Sequence, residues 1–259
     1  MKKRIIYIAI ILVIIISSCQ PPQPRKKTIN VKHNYIILLD LSDRLIVQPD
    51  QPARDKEIIQ AIYSMFEKRV QKQLYIKSRD EIKVVIAPQK GSGIRADQYE
   101  DKLYVNMDKI KNVYRRPQEE QRRDTFNEAL YELYKKATFS KEPKDYYGAD
   151  IWKYFYEDLK LDYSEDTLTK NFLFIMTDGY PIVGKDLTKL QPVNKSFPDL
   201  HIILLEGSPR DKDLEWDRVM DLWTKWFDSM DIADYTFIKR RGVSKVVEQI
   251  EELINKGEN

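Results

Sequence analysis

Short unbroken apolar runs alternate with longer segments whose apolar positions recur at helical spacing. Tyr35-Ile36-Ile37-Leu38-Leu39, Ile82-Lys83-Val84-Val85-Ile86, Phe172-Leu173-Phe174-Ile175-Met176, His201-Ile202-Ile203-Leu204-Leu205 and Tyr235-Thr236-Phe237-Ile238 are the runs. An uninterrupted apolar stretch of four to eight residues fits a strand buried on both faces. Between the runs, Ile58, Ile59, Ile62, Met65, Phe66 and Val70 predict a helix over about 53–75. Phe126, Leu130, Leu133 and Tyr134 predict another over about 119–136. Trp216, Val219, Met220, Trp223 and Trp226 form the apolar stripe of a helix over about 213–230, with the tryptophans expected in the core. A last helix spans about 243–255. Residues 102–107 fit a short strand at a sheet edge. Alternating strands and helices predict an α/β fold: a Rossmann-like, doubly wound, mostly parallel sheet with helices on both faces.

The segment 139–168 departs from this alternation. It holds Tyr146, Tyr147, Trp152, Tyr154, Phe155, Tyr156 and Tyr163, with Ile151, Phe155 and Leu159 on one helical face. It is expected to be an aromatic-rich helical insertion within one domain spanning 33–257. Tyr146, Tyr147 and Trp152 are candidates for a partner-binding rim, because Tyr and Trp bury large area with few rotors. For Trp152 and Phe155 the alternative is packing of the inserted helix on the body.

The first residues form a separate pattern. Lys2, Lys3 and Arg4 precede an apolar run from Ile5 to Ile16, then Ser17, Ser18 and Cys19. The run is about half the length that spans a bilayer comfortably. A basic start, a short apolar core and small residues mark a signal peptide over 1–18. Ile16-Ser17-Ser18-Cys19 resembles a bacterial lipobox, which implies acylation of Cys19 and a lipid-anchored, extracytoplasmic chain. Residues 19–32, with Pro21, Pro22 and Pro24, read as an extended tether. Gln20 stands where an aspartate is associated with inner-membrane retention, so the outer membrane is mildly favoured.

Charge then excludes one class of partner. Of 44 basic residues, three lie in the signal peptide, leaving 41 against 41 acidic ones. A neutral chain with scattered pairs such as Arg115-Arg116 lacks the basic excess of a nucleic-acid protein. Arg25-Lys26-Lys27 lies close to the expected lipid and suits anionic headgroups.

Two apolar strands end in acidic loops, Asp40-Leu41-Ser42-Asp43-Arg44 and Thr177-Asp178-Gly179. In open α/β sheets ligands bind beyond the carboxyl ends of strands. Carboxylates with hydroxyls suit Mg²⁺ or another hard divalent cation, which takes oxygen ligands and keeps waters. Gly179 permits a sharp turn beside Asp178. The alternative for both aspartates is a structural role in capping or loop closure.

These loops resemble the von Willebrand factor type A domain and its metal-ion-dependent adhesion site, over most of residues 33–257. Asp40 and Ser42 match the first two positions of its Asp-x-Ser-x-Ser motif. Asp178-Gly179 matches the later strand end. The family's threonine precedes a helix containing Ala-Leu. Counting back from Ala129-Leu130 puts Asp124 at that position and Thr125 one residue later, and Thr125 is preferred. The resemblance thus implies a metal set of Asp40, Ser42, Thr125 and Asp178, modified by Asp43, Arg44, Asp124 and Gly179. Arg44 replaces the second serine and cannot ligate a metal. Either it pairs internally with the acidic residues, or it points away and water fills the gap.

The resemblance implies a protein-binding module that docks an acidic side chain of another envelope or extracellular protein. The alternatives are a scaffold lipoprotein without a metal and a metal-dependent phosphoester hydrolase. For an enzyme the residues are poor. His33 and His201 start strands, which puts them opposite Asp40, and no Gly-x-Ser-x-Gly elbow occurs. No catalytic residue is therefore assigned.

Overall fold

The computed structural model describes residues 30–89, 93–111, 114–139, 147–183, 186–187, 193, 195–208 and 213–256. The signal peptide, Cys19, most of the tether, Tyr146 and Gly91-Ser92 lie outside the described residues. In chain order the elements are β1 (Lys32–Leu39), α1 (Arg44–Val47), α2 (Gln51–Lys72), β2 (Glu81–Ile86), β3 (Tyr104–Asn106) and α3 (Arg115–Thr138). Then come α4 (Ile151–Glu157), α5 (Leu159–Asp162), β4 (Thr169–Met176), β5 (Ile182–Val183), β6 (Asp186–Leu187), β7 (Phe197–Gly207), α6 (Asp213–Asp228), β8 (Ile232–Lys239) and α7 (Val243–Lys256). The expected strands and helices are present to within a few residues. The β5–β6 hairpin and the single turn of α1 carry too few residues for a periodic signal.

The main sheet has six strands in the order β3-β2-β1-β4-β7-β8. Every pairing is parallel except β2–β3, which is antiparallel and puts β3 at an edge. The chain winds outward from β1 to β3, then returns to the other side of β1 with β4. The order therefore reverses between β1 and β4.

The unbroken apolar strands have the expected cause. Tyr35, Ile37 and Leu39 enter one core with Ile58, Ile62 and Phe66 of α2, Leu130 of α3 and Ile250 of α7. Ile36 and Leu38 enter a second core with Trp152 and Phe155 of α4 and Trp216 and Trp223 of α6. Successive side chains point to opposite faces, so a strand covered twice must be apolar at every position.

The insertion contains two short helices that belong to this second core. Asp150 caps α4 by accepting from the Lys153 N–H at 2.8 Å. Asn34 and Asn171 are level in β1 and β4 and fully buried. Asn34 donates to Asn171 Oδ1 at 2.9 Å and to the Asp162 carbonyl at 2.7 Å, and Asn171 donates to the Ser164 carbonyl at 3.0 Å. This pair of buried amides fastens the end of the insertion to the sheet. Among the described residues no helix is long and apolar enough to cross a membrane.

His33 is the second residue of β1; His201 lies inside β7, its fifth residue and level with Phe172, because β7 begins earlier than its apolar run, and both histidines stand toward the end of the sheet opposite Asp40. Burial pulls His33 down to about 3, helped by the charges of Arg69, Lys170 and His201. Its unfolded form takes up a proton near 6.5, so this stabilisation is full above that pH and is lost as pH falls toward 3. Glu119 in α3 behaves oppositely. Burial pushes it up to about 7, with the Glu67 charge adding and Arg123 opposing. Folding then favours its protonated form, and stability falls as pH rises from about 4.5 to 7. Urea unfolding should therefore show His33→Phe flattening the loss between pH 7 and 5 by about 2 kcal/mol, at about 1.4 kcal/mol per pH unit. Glu119→Gln should raise stability at pH 8 by about 3 kcal/mol and make little difference at pH 4.

Candidate functional site

β1 and β4 are in register, Leu39 opposite Met176, and the Asp40 N–H continues the ladder to the Met176 carbonyl at 3.1 Å. The acidic loops after both strands therefore emerge side by side, where the strand order reverses. Asp40 and Asp178 are both buried, at 4% and 5% exposure. Asp40 Oδ1 accepts the Ser42 N–H at 2.9 Å, which folds the loop back over the carboxylate. Asp40 Oδ2 accepts the Thr177 hydroxyl at 2.8 Å, and that hydroxyl in turn accepts the Gly179 N–H at 3.1 Å. Thr177 thus stitches the two loops together. Asp178 Oδ1 accepts the Tyr180 N–H at 3.2 Å.

The turn after Asp178 is held from beneath by α6. Gly179 has φ +92°, a conformation natural to glycine. Its carbonyl accepts the Trp223 indole N–H at 2.7 Å. The Trp216 ring lies against both strand ends. A Cβ on Gly179 would stand 3.2 Å from it, and one on Gly207 only 2.5 Å. Trp216, Trp223 and Trp226 are in the core, as their helical spacing predicts. Two of them also form the floor under the Asp178 turn.

Arg44 follows neither expected course fully. It is 2% exposed, and among the described residues the Asp40 carboxylate takes its hydrogen bonds from Ser42 and Thr177, not from this guanidinium. Its Nε donates to the Asp40 carbonyl at 2.7 Å, and its two terminal nitrogens donate to Asp55 of α2 at 3.3 and 2.6 Å. Burial opposes the Arg44 charge, but the nearby Asp55 and Asp40 carboxylates outweigh it and hold the guanidinium well above its ordinary range. Asp55 also accepts the Tyr134 hydroxyl at 2.9 Å and the Gln51 amide at 2.8 Å. Burial, followed by the Asp55 charge, raises Tyr134 well above the usual phenol range.

A third acidic strand end joins this edge. Glu206 closes β7 with φ +67° and 1% exposure. It accepts from Arg54 at 2.9 and 2.8 Å and from Gln51 at 2.9 Å. Arg240 after β8 reaches Asp50 at 2.6 Å and Gln51 at 3.2 Å. The pattern of an apolar strand ending in an acidic residue, used to single out Asp40 and Asp178, was equally present in Leu204-Leu205-Glu206. Asp55, Gln51, Arg54 and Arg240 gave no comparable signal.

The remaining sequence-derived candidates are placed elsewhere. Thr125 is exposed within α3 and donates to the Gln121 carbonyl at 3.2 Å. About 13 Å of helix axis, at roughly 1.5 Å per residue, separates it from Tyr134, the α3 residue that reaches Asp55. Asp124 is exposed beside it, 3.8 Å from Arg123. The resemblance places this threonine in a loop, whereas α3 is continuous through it. Trp152 is 2% exposed and meets Trp223 in a tilted ring contact at 5.6 Å, so it packs the insertion onto the body instead of lining a rim. Tyr147 is partly exposed, and its carbonyl accepts the Gln89 amide, which also reaches the Leu41 carbonyl at 3.2 Å. That contact ties the insertion to the Asp40 loop. Asp43 precedes α1 and its carbonyl accepts from Ile46 at 2.9 Å.

Two carboxylates and the Ser42 hydroxyl are oxygen donors of the kind Mg²⁺ takes, with water completing the shell. Among the described residues no group of three His, Cys, Asp or Glu side chains is gathered to hold a metal. The donor set fits a cation that keeps several waters, and it does not fit a closed protein cage. A cleft of about 570 Å³ lies along β2 and is lined by Val85, Tyr99, Tyr104, Asp158 and Leu161; neither Asp40 nor Asp178 lines it.

No protein-family description, no curated protein and no solved structure matches this chain. The chain is a mixed α/β fold with a mostly parallel six-stranded sheet and an acidic carboxyl edge.

The Arg44–Asp55 contact has a measurable consequence. Removing one partner leaves a buried charge uncompensated, which costs about 3–5 kcal/mol. Asp55→Ala should lower stability by that amount in urea, since Arg44, Tyr134 and Gln51 all lose an acceptor. Arg44→Met combined with Asp55→Leu should cost less than the sum of the single changes. A double-mutant cycle checks the coupling.

Proposed function

We propose that this chain is a lipid-anchored, extracytoplasmic protein-binding module whose docking point is a divalent cation held by Asp40, Asp178 and Ser42. The observation that carries the proposal is the arrangement of charge at the strand-order reversal. Two buried carboxylates lie on adjacent strand ends, and the Arg44 guanidinium is fastened to Asp55. Hydrogen bonds from Ser42 and Thr177 orient the Asp40 carboxylate, and the pairing of β1 with β4 brings the Asp178 loop beside it. Carboxylate and hydroxyl oxygens gathered at one strand-order reversal suit a cation such as Mg²⁺ that keeps several waters. The ion, when bound, offers an acidic side chain of a partner protein a coordination position. The chain's own residues orient the carboxylates and keep Arg44 out of their way.

The strand order and the antiparallel β3 edge support a doubly wound arrangement like that of von Willebrand factor type A domains. The Asp-x-Ser and Asp-Gly loops support it further. The departures at Arg44 and Thr125 make this a site with a reduced protein ligand set. The N-terminal pattern ending at Cys19 supports export and acylation, with the partner then drawn from the envelope or the extracellular space. A second reading, a scaffold lipoprotein that needs no metal, is favoured by one observation: Thr125 stands away from the aspartates.

Calorimetric titration with Mg²⁺ and Mn²⁺ separates the two. Saturating metal at about 100 times its Kd should stabilise the protein by about 2.7 kcal/mol. Asp178→Ala and Asp40→Asn should abolish both the binding heat and the thermal shift, while Thr125→Ala leaves them unchanged. A wild-type chain with neither heat nor shift leaves the scaffold.

A further inference from the structure

The edge of the sheet opposite Asp40 carries a loop that the cation site does not use. α2 ends at Lys72, and residues 73–77 turn back toward β2. Leu74 and Tyr75 both have φ of +55°. The left-handed region costs an L residue about 1–2 kcal/mol, and two in succession need external support. In this conformation Leu74 is 66% exposed and Ile76 54%.

The support is visible. Arg115, buried at the start of α3, donates from Nη1 to the carbonyls of Tyr75, Ile76 and Ser78 at 3.0, 2.9 and 2.8 Å. Its Nε donates to the Ile110 carbonyl at 3.0 Å. One guanidinium thus braces the loop from below while its aliphatic side chains face out. Tyr114, next to Arg115, is 53% exposed, and Leu168, whose carbonyl accepts the Lys32 N–H, also presents an exposed side chain at this edge. Lys72 and Lys77 flank the loop and are exposed. Of the acidic neighbours, Asp108 and Asp166 are held by Arg79 at 3.3 and 3.2 Å and Glu120 by Arg116 at 3.2 Å, while Glu119 near Tyr75 is buried.

The chain's route identifies what covers this surface. Asn30 donates its side-chain amide to the Lys77 carbonyl at 2.8 Å. The segment from Cys19 to Asn30 therefore reaches the domain at this loop, and its fully extended length is at most about 40 Å. We infer that this edge faces a lipid bilayer, with Leu74 and Ile76 entering the interface and Lys72 and Lys77 meeting anionic headgroups. The inference rests on the lipid-anchor part of the proposed function. A short anchor supplies a high local concentration, so a small apolar tip suffices for contact. Each Lys near an anionic surface adds about 1 kcal/mol. β1 then stands between membrane and cation site, its eight residues spanning about 26 Å at roughly 3.3 Å each.

The test uses the full chain in vesicles of phosphatidylethanolamine and phosphatidylglycerol. Nitroxide labels are placed at Leu74→Cys, at Ile76→Cys and, on the opposite edge, at Val47→Cys. The labels at 74 and 76 should be several-fold more accessible to oxygen than to a water-soluble nickel chelate, and the label at 47 should show the reverse. Lys72→Glu with Lys77→Glu should shift the labels at 74 and 76 toward water. Labels at 74 and 76 as open to the chelate as that at 47 overturn the inference. So does shielding by a co-purified protein that persists in detergent. Mass spectrometry of Cys19 reports the anchor separately. An acyl-free chain that still inserts position 74 keeps the loop assignment and removes the anchor.

Discussion

The carboxyl edge of this sheet depends on one buried ion pair. Arg44 and Asp55 are 2% and 0% exposed and meet in a two-pronged contact. The geometry compensates both charges and does more. Arg44 also holds the Asp40 carbonyl, Asp55 holds Tyr134 of α3 and Gln51 of α2, and Gln51 passes the network on to Glu206. The loop after β1, two helices and the end of β7 are thereby fixed by one connected set of polar groups. In a low-dielectric interior such a set is stable only when every member is satisfied, so it specifies one arrangement. Asp40 keeps its carboxylate turned to Ser42 and Thr177 because the guanidinium has a better partner.

The other face of the sheet solves a different problem with aromatic side chains. Trp152, Phe155, Trp223, Trp226 and Phe227 are in ring contact at 4.7–6.1 Å. They join the insertion to α6 and to the sheet. The Trp216 ring fills the space beside Gly179 and Gly207, which is why those strand ends carry glycine. The two short helices of the insertion are therefore part of the core, and Trp152, Tyr154 and Phe155 pack there. Buried asparagines on β1 and β4 fix its far end. The acidic loop on top and the aromatic floor beneath are parts of one construction.

Much of this was legible in the residues themselves. The apolar runs located β1, β2, β4, β7 and β8, and their lack of alternation announced two covered faces. The Asp40 and Asp178 loops were found from what ends the runs. Their adjacency needed the pairing of β1 with β4, which are separated by about half of the chain's length. An Ala-Leu helix is recognisable by local spacing, but that spacing does not say which way Thr125 faces. Its position inside a continuous α3 follows from Phe126 and Leu130 facing the core, which turns Thr125 outward. Glu206 carries the same signature as the other two acidic strand ends.

The sequence by itself determined the alternation of strands and helices, because side-chain period follows directly from backbone geometry. It also determined which runs are buried on both faces and which strand ends are acidic. The tertiary structure decided which charges meet. Arg44 lies four residues from Asp40 and eleven from Asp55, and nothing in that spacing says which carboxylate takes the guanidinium. The choice comes from where α2 packs on β1, and from hydrogen bonds whose partners lie far apart in the chain. Exposure of Leu74 and Ile76 was decided in the same way, by a guanidinium from a distant helix holding the backbone beneath them.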